Sequence, residues 1–446
     1  MPTLSLIMIV KDESVRLPHC LTSVREIVDE MVIADTGSQD DTVSVARSFG
    51  AKVYQVPWHD DFADARNRGM AYASGHWLLH LDADELVDAA SAQGIREVID
   101  ADGHGADAVE VTVANYSNEI RSWRWVPVEP GAPYARGAAG YLDVKLLRLF
   151  RNGRGFEYRE AIHENISESV YAQHASVRQE HDIFIHRYGL TERGQGPTSK
   201  DYMYLAIARK KADQRRWDPK TWYDLGEVLV LLGMKKEGEE AYRTALSLAP
   251  THVDAASSLA SLLLNRGDLD EARLLLEGLA EAGCSMPHIG TALGAIAYRE
   301  GRLDEARRYL ENVLERSPKC LMAKLYLART FNRLGMAKAA RDQLESAVSV
   351  APTVKELGSR LEAHRLREKA NEAYSRGAVG QALTGLVESL RLDPEEPLTY
   401  NDLGVVLNAL SLTDKAKESF QRALRLAPGL PEAEDNLRAL AATPTR

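Results

Sequence analysis

The fold class this sequence predicts is an α/β domain with a mainly parallel, Rossmann-like sheet, followed by an all-α solenoid. Two observations predict it. Strand-like and helix-like segments alternate from Thr3 to Asp82, and small residues return every 34 positions from Trp222 onward. At 446 residues the chain exceeds what one core usually organises, so two or three domains are expected.

The alternation runs "TLSLIMIV" then "SVRLPHCLTSVREI", "EMVIADTGS" then "QDDTVSVARSFG", "AKVYQVPW" then "DFADARNRGMAYASG", and finally "HWLLHLD". Crossovers of this length imply parallel neighbours whose carboxyl ends send loops to one site. Those loops carry Lys11-Asp12-Glu13, Asp35-Thr36-Gly37-Ser38 and Asp82-Ala83-Asp84-Glu85. Three carboxylates after an apolar strand suit a hard divalent cation, because Mg²⁺ and Mn²⁺ prefer oxygen and commonly bridge one or two carboxylates to substrate phosphates. A helix N-cap or solvated turn is the alternative use of the same residues. The glycine-rich phosphate loop of a dinucleotide fold is absent, since "VKDESVRLP" stands where GxGxxG belongs. Neutralising a diphosphate with a cation is another way to hold it.

In the second half Gly226, Ala260, Gly294 and Ala328 share one phase, and Gly233, Gly267, Gly301 and Gly335 share another seven residues later. Pro250, Pro318 and Pro352 close units, and the phase resumes at Pro394 and Pro428 after an eight-residue insertion around Val354 to Glu362. Ala272, Ala306, Ala340, Ala382 and Ala416 mark where two helices approach closely. These positions resemble the tetratricopeptide repeat family in six units from about residue 219 to 430, with Gly238 and Ser411 departing from an expected Ala and turn Gly. Such a solenoid implies binding of a peptide or protein in its concave face, or else a rigid spacer or a dimerisation arm that pairs with a second copy.

Formal net charge is −10, which argues against nucleic acid or an anionic membrane as a general partner. The N-terminus lacks a basic start and meets charge early, against a signal peptide, and no apolar run reaches the length of a membrane span. Cys20, Cys284 and Cys320 show neither metal-site nor disulfide spacing, so a reducing cytoplasm is expected.

Taken in order, "MIVKDE", "MVIADTGSQDDT", "DFADARNRG" and "WLLHLDADE" resemble family 2 glycosyltransferases of the GT-A fold, in the bacterial branch whose catalytic domain is followed by tetratricopeptide repeats. The resemblance implies a nucleotide-sugar donor, UDP-linked, and a divalent cation, Mn²⁺ or Mg²⁺. It implies that Lys11, Asp12, Glu13 and Asp35 border the nucleoside, and that Arg66 and Asn67 lie near the nucleotide. Asp82 and Asp84 match the DxD, with Asp84 the expected metal ligand, Asp82 on the ribose or bridging, and Glu85 behind them. Asp35 equally suits a turn and helix cap. An inverting reaction needs a base. Glu164 of "IHEN" is the candidate, with His163 to orient it, Glu160 as rival, and His186 of "HRYG" as a further metal ligand. The irregular Asn115–Tyr141 segment reads as a mobile loop that brings Trp123 or Trp125 to a sugar face, or else as an insertion that packs on the sheet.

The expected organisation is a catalytic domain at 1–195, a helical link at 196–218, repeats at 219–430, and a C-terminal helix and tail at 431–446. The expected function is metal-dependent sugar transfer to a peptide or protein recruited by the repeats. A saccharide acceptor, and a scaffold with an inactive transferase domain, are the alternatives.

Overall fold

The computed structural model describes residues 1–101, 105–118, 120, 125–191 and 196–442, so Trp123 falls outside it. Two compact units divide the chain, residues 1–126 with 131–255 and residues 127–130 with 256–446.

The first unit opens with β1 (Leu4–Val10), α1 (Leu17–Val24), β2 (Glu30–Asp35), α2 (Thr42–Ser48), β3 (Lys52–Gln55), α3 (Phe62–Met70) and β4 (Trp77–His80), the alternation expected from sequence. Then come β5 (Glu85–Val87), α4 (Ala89–Asp100), β6 (Ala108–Ser117), β7 (Trp125–Pro127), β8 (Gly140–Arg151), α5 (Ser167–Ala172) and β9 (Val177–Arg187). The sheet order is β3-β2-β1-β4-β8-β6-β9-β5. Its first four strands are parallel, whereas β8 runs antiparallel to β4 and β6, and β5 antiparallel to β9. The sheet is therefore mixed, a GT-A arrangement. Strand β4 is buried at every position, as a central strand covered on both faces must be. β1 and β2 end level at Val10 and Asp35, and β4 runs parallel to β1 and ends at His80 beside Ile7, so the three acidic loops leave the same edge.

The two ends of the Asn115–Tyr141 segment are strand rather than loop. Asn115–Ser117 completes β6 and pairs with Gly140–Leu142 of β8. Trp125 is buried and its Nε1 donates to the Ser117 carbonyl at 2.8 Å, so this indole packs on the sheet.

At the opposite edge Glu30 ties the parallel strands together. Its carboxylate accepts from Ser5 Oγ at 2.5 Å, Lys52 Nζ at 2.6 Å and Ser74 N at 2.8 Å. Burial alone would push this carboxyl up, but Lys52, Ser5 and Ser74 outweigh it and hold it down at about 2. A depressed carboxyl stabilises above its unfolded value, so this contribution is present above pH 4.5 and is lost as pH falls through about 2. Glu30→Gln is expected to cost about 2 kcal/mol at pH 7 and much less at pH 2. Chemical denaturation at the two pH values checks this, and an equal loss at both would contradict it.

Helices α6 (Ser199–Gln214), α7 (Pro219–Leu231) and α8 (Lys235–Leu248) also fall in the first unit. A capping box between Thr198 and Asp201 starts α6. Leu205, Ala208 and Ala212 of α6 and Leu225 and Val228 of α7 share a core with Ile162, Trp58 and Phe62. By packing, the first hairpin thus groups with the α/β domain.

Further hairpins follow as α9 (Val253–Arg266), α10 (Leu269–Glu281), α11 (Pro287–Arg299), α12 (Leu303–Arg316), α13 (Leu321–Arg333), α14 (Ala337–Val350), α15 (Lys355–Ser375), α16 (Val379–Leu392), α17 (Pro397–Ala409) and α18 (Thr413–Leu426), with α19 (Pro431–Ala442) at the end. The repeat phase has a steric cause. A Cβ at Gly226 would enter the Tyr242 ring and one at Gly404 the Phe420 ring, so glycine is needed where the facing helix presents an aromatic. The insertion lengthens α15 to 21 residues against 13 in α13, two extra turns that leave the later phase intact. Ser411 keeps the left-handed turn with φ 60°, the geometry that glycine supplies in the other units.

Candidate active site

The β4 strand ends at His80, and the next four residues turn back into β5. Two bonds lock this turn: Glu85 N donates to the Asp82 carbonyl at 3.0 Å, and Asp82 N donates to Glu85 Oε2 at 2.8 Å. The other Glu85 oxygen accepts from Arg148 Nη2 at 2.7 Å. Burial pushes the Glu85 carboxyl up to about 7, with Arg148 opposing. Both of its oxygens are committed to the fold, and it supports the loop from behind.

Asp82 and Asp84 are better exposed. Arg66 of α3, itself buried, donates Nη2 to Asp82 Oδ1 and Nε to Glu164 Oε1, each at 2.7 Å. One guanidinium thus fixes an acid of the DxD and the candidate base. Behind it His80 is fully enclosed. Arg148 Nη1 lies 2.8 Å from His80 Nε2 and guanidinium can only donate, so Nε2 carries the lone pair and Nδ1–H points to Tyr158 Oη at 2.9 Å. Burial, then Arg148, hold the imidazole well below its usual pKa and keep it neutral. The 3.4 Å approach of His80 Nε2 to Asp82 is then a contact between two acceptors.

The arrangement fits a divalent cation at Asp82 and Asp84. Oxygens of Asp82, Asp84 and Glu85 lie within 4.8 Å of one another, the one such group of metal-ligating type among the described residues. With Glu85 spent on Arg148 and the backbone, Asp82 Oδ2 and the Asp84 carboxylate remain, a donor set that suits Mg²⁺ or Mn²⁺ shared with phosphate oxygens. Gly189 leaves the room Asp84 needs, because a Cβ there would come within 2.6 Å of Asp84 Oδ2. Gly189→Ala is expected to weaken Mn²⁺-dependent nucleotide binding about tenfold while changing stability by less than about 1 kcal/mol. Calorimetry beside a thermal melt checks both, and unchanged binding would show that Asp84 is not positioned this way.

Other sequence candidates fall in different places. Asp35 is 1% exposed and spends its oxygens on Gly37 N, Ser38 N and Ser38 Oγ, the turn its neighbours suggest. Asp12 has φ 55° and accepts from Gln39 N at 2.6 Å, joining the first two loops, while Lys11 is exposed. Burial raises the Glu13 carboxyl against the pull of Arg16, and Asp84 adds to the rise. Asn67 bonds the Tyr158 backbone, accepting from its N at 2.8 Å and donating to its O at 2.9 Å, as a strand neighbour would.

Glu160 turns away. It pairs with Lys211 of α6 at 2.5 Å and with Arg215, just past the end of α6, at 2.8 Å, and although burial would raise it, those cations hold it below the usual carboxylate range. It anchors α6 and is poorly suited to take a proton. His163 is exposed with φ 54°. His186 is not brought to the acids, since Tyr116 Oη and Asp88 Oδ2 each lie 2.9 Å from its ring nitrogens. Strand parity explains this. Arg187 stands opposite Glu85 and shares its face, so its neighbour His186 must take the other. Sequence reading missed Arg148 and Arg187. Arg148 is visible as a charge between Leu147 and Leu149 in "LLRLF", and Arg187 as the charge that ends "IFIHR".

Residues 5–180 match the family described as glycosyl transferase family 2, and residues 222–286, 297–363 and 398–429 match three tetratricopeptide repeat families. The chain thus carries a glycosyl transferase family 2 domain over residues 5–180, followed by tetratricopeptide repeats between residues 222 and 429. A TPR repeat-containing protein of Synechococcus elongatus is 28% identical over 97% of this chain and 95% of its own length. The SPbeta prophage-derived glycosyltransferase SunS of Bacillus subtilis is 23% identical over 62% of each chain. An uncharacterized glycosyltransferase of Rickettsia felis is 36% identical over 19% of this chain and 30% of its own.

Proposed function

We propose that the first unit moves a sugar from a UDP-linked donor to an acceptor with inversion at the anomeric carbon, using Asp84 and Asp82 to hold Mn²⁺ or Mg²⁺. The observation that carries this reading is Arg66, which joins Asp82 to Glu164 across the edge where the acidic loops meet. A bound cation supplies neutralisation of the diphosphate as it leaves. Glu13 and the Asp35 turn form the nucleoside end. Glu164 takes the proton of the acceptor hydroxyl or thiol as that atom bonds to the anomeric carbon. The bond from that carbon to the phosphate oxygen breaks, and its electron pair leaves with the nucleoside diphosphate. Among the described residues Arg66 is the protein donor bonded to the Glu164 carboxylate.

The repeats of residues 219–430 recruit the acceptor, a peptide or protein, and the catalytic portion spans residues 1–195 with 196–218 as the link. The reading is supported by the attached solenoid and by the lack, among the described residues, of a helix long and apolar enough to cross a membrane. Cys20, Cys284 and Cys320 are unpaired, which suits a cytoplasmic setting.

The test incubates full-length protein with a panel of nucleotide sugars and a cell extract, with Mn²⁺ or with EDTA, and follows sugar label into protein and free diphosphate. Label on a polypeptide that requires Mn²⁺ supports the reading. Label confined to saccharide removes the peptide acceptor, and no turnover by folded protein turns the case to a scaffold.

A further inference from the structure

Arg187 closes β9 and lies where the three acids meet. Its Nε is 3.3 Å from Asp84 Oδ2, its Nη2 3.4 Å from Asp82 Oδ2, and its Nη1 3.6 Å from Glu85 Oε1. Arg66 and Arg148 also touch this cluster, yet their side chains are 7% and 4% exposed, against 36% for Arg187. Arg66 and Arg148 are walled in, and Arg187 alone of the three has solvent to move into. The oxygens it contacts on Asp82 and Asp84 are those a cation would take. Metal–oxygen bonds are only about 2.1 Å long, so an ion there and a guanidinium at its present distance would set like charges almost in contact.

We propose that Arg187 competes with the divalent cation for Asp82 and Asp84, and that once displaced it pairs with the donor diphosphate. This rests on the donor-site reading above. Without metal, the guanidinium neutralises carboxylates that would otherwise repel one another beside a buried Glu85. A cation arriving alone evicts Arg187 and leaves it without an anion. A cation arriving with a nucleoside diphosphate evicts it towards a new one, and guanidinium–phosphate pairing is strong and often bidentate. Metal and nucleotide therefore bind weakly apart and tightly together, a coupling that is reciprocal by thermodynamic linkage.

Removing the guanidinium changes two quantities in opposite directions. Metal alone binds more tightly because its competitor is gone, and the help metal receives from nucleotide shrinks because the second anion partner is gone. A merely structural Arg187 gives no such reversal.

The experiment measures Mn²⁺ binding by electron paramagnetic resonance in full-length wild type, Arg187→Ala and Arg187→Gln. Each is studied alone and with saturating UDP, GDP or dTDP, with thermal melts to confirm folding. Without nucleotide both variants are expected to bind Mn²⁺ about tenfold more tightly than wild type. The factor by which nucleotide tightens Mn²⁺ binding is expected to fall by at least as much. Mn²⁺ affinity that is unchanged or weaker in both folded variants overturns the proposal. Asp84→Ala separates the two claims. Binding lost in Asp84→Ala but indifferent to Arg187 removes the Arg187 role alone. Binding that survives Asp84→Ala removes the metal reading and this one with it.

Discussion

Asp84→Ala is expected to lower sugar transfer about 10³-fold while leaving the fold in place. Asp84 is the less committed acid of the pair, because Asp82 is held by Arg66 and Glu85 by Arg148, whereas the side-chain pairing of Asp84 is with the half-exposed Arg187. Its removal leaves Arg187 beside Asp82 and Glu85, so no buried charge is stranded and the stability cost stays below about 1 kcal/mol. Initial rates of diphosphate release at saturating Mn²⁺, compared with a thermal melt, measure both quantities. A variant that keeps full rate would take the metal role away from Asp84.

Glu164→Gln is expected to lower kcat by about 10² to 10⁴-fold and to leave the donor KM close to wild type. The amide keeps the shape and can still accept from Arg66 Nε, so Asp82 and Arg66 hold their places while the proton acceptor is lost. Glu160→Gln should behave in the reverse way. It leaves Lys211 with Asp224 as its remaining partner in a buried setting and costs about 2 kcal/mol of stability, with kcat little changed. Measuring both variants for kcat and denaturation midpoint decides between the two carboxylates. A collapse of kcat in Glu160→Gln with a normal Glu164→Gln would exchange their roles.

What the sequence revealed and what it hid follow from the range of the forces involved. The alternation of β1 to α3, the acids after β4 and the 34-residue phase are local or strictly periodic signals, and the structure contains them where they were expected. The mixed half of the sheet was harder to read, because an isolated apolar run does not state which neighbour it joins or in which direction. Thus Ser117 and Gly140 read as loop although they pair across β6 and β8.

Side-chain destinations were the least legible. His186 and Arg187 are adjacent, and only the register of β9 on β5 decides which of them faces the acids. Histidine was the natural metal candidate by type, but parity sends it to Asp88 and Tyr116. The bonds of Asn67 and Glu160 were hidden for a related reason. Each bonds a partner more than 50 positions away, Tyr158 in one case and Lys211 in the other, and nothing local foretells such a partner. Arg66 was expected near the nucleotide from its motif, whereas its bridge from Asp82 to Glu164, 98 residues on, needed the fold.

The central claim is a donor site built on Asp82, Asp84 and Arg66, and calorimetric titration of wild-type protein with UDP, GDP and dTDP, with Mn²⁺ and with EDTA, tests it most directly. Tight binding of UDP that requires Mn²⁺ is the predicted result. Absence of binding for all three by well-folded protein, or equal affinity in EDTA, would contradict it.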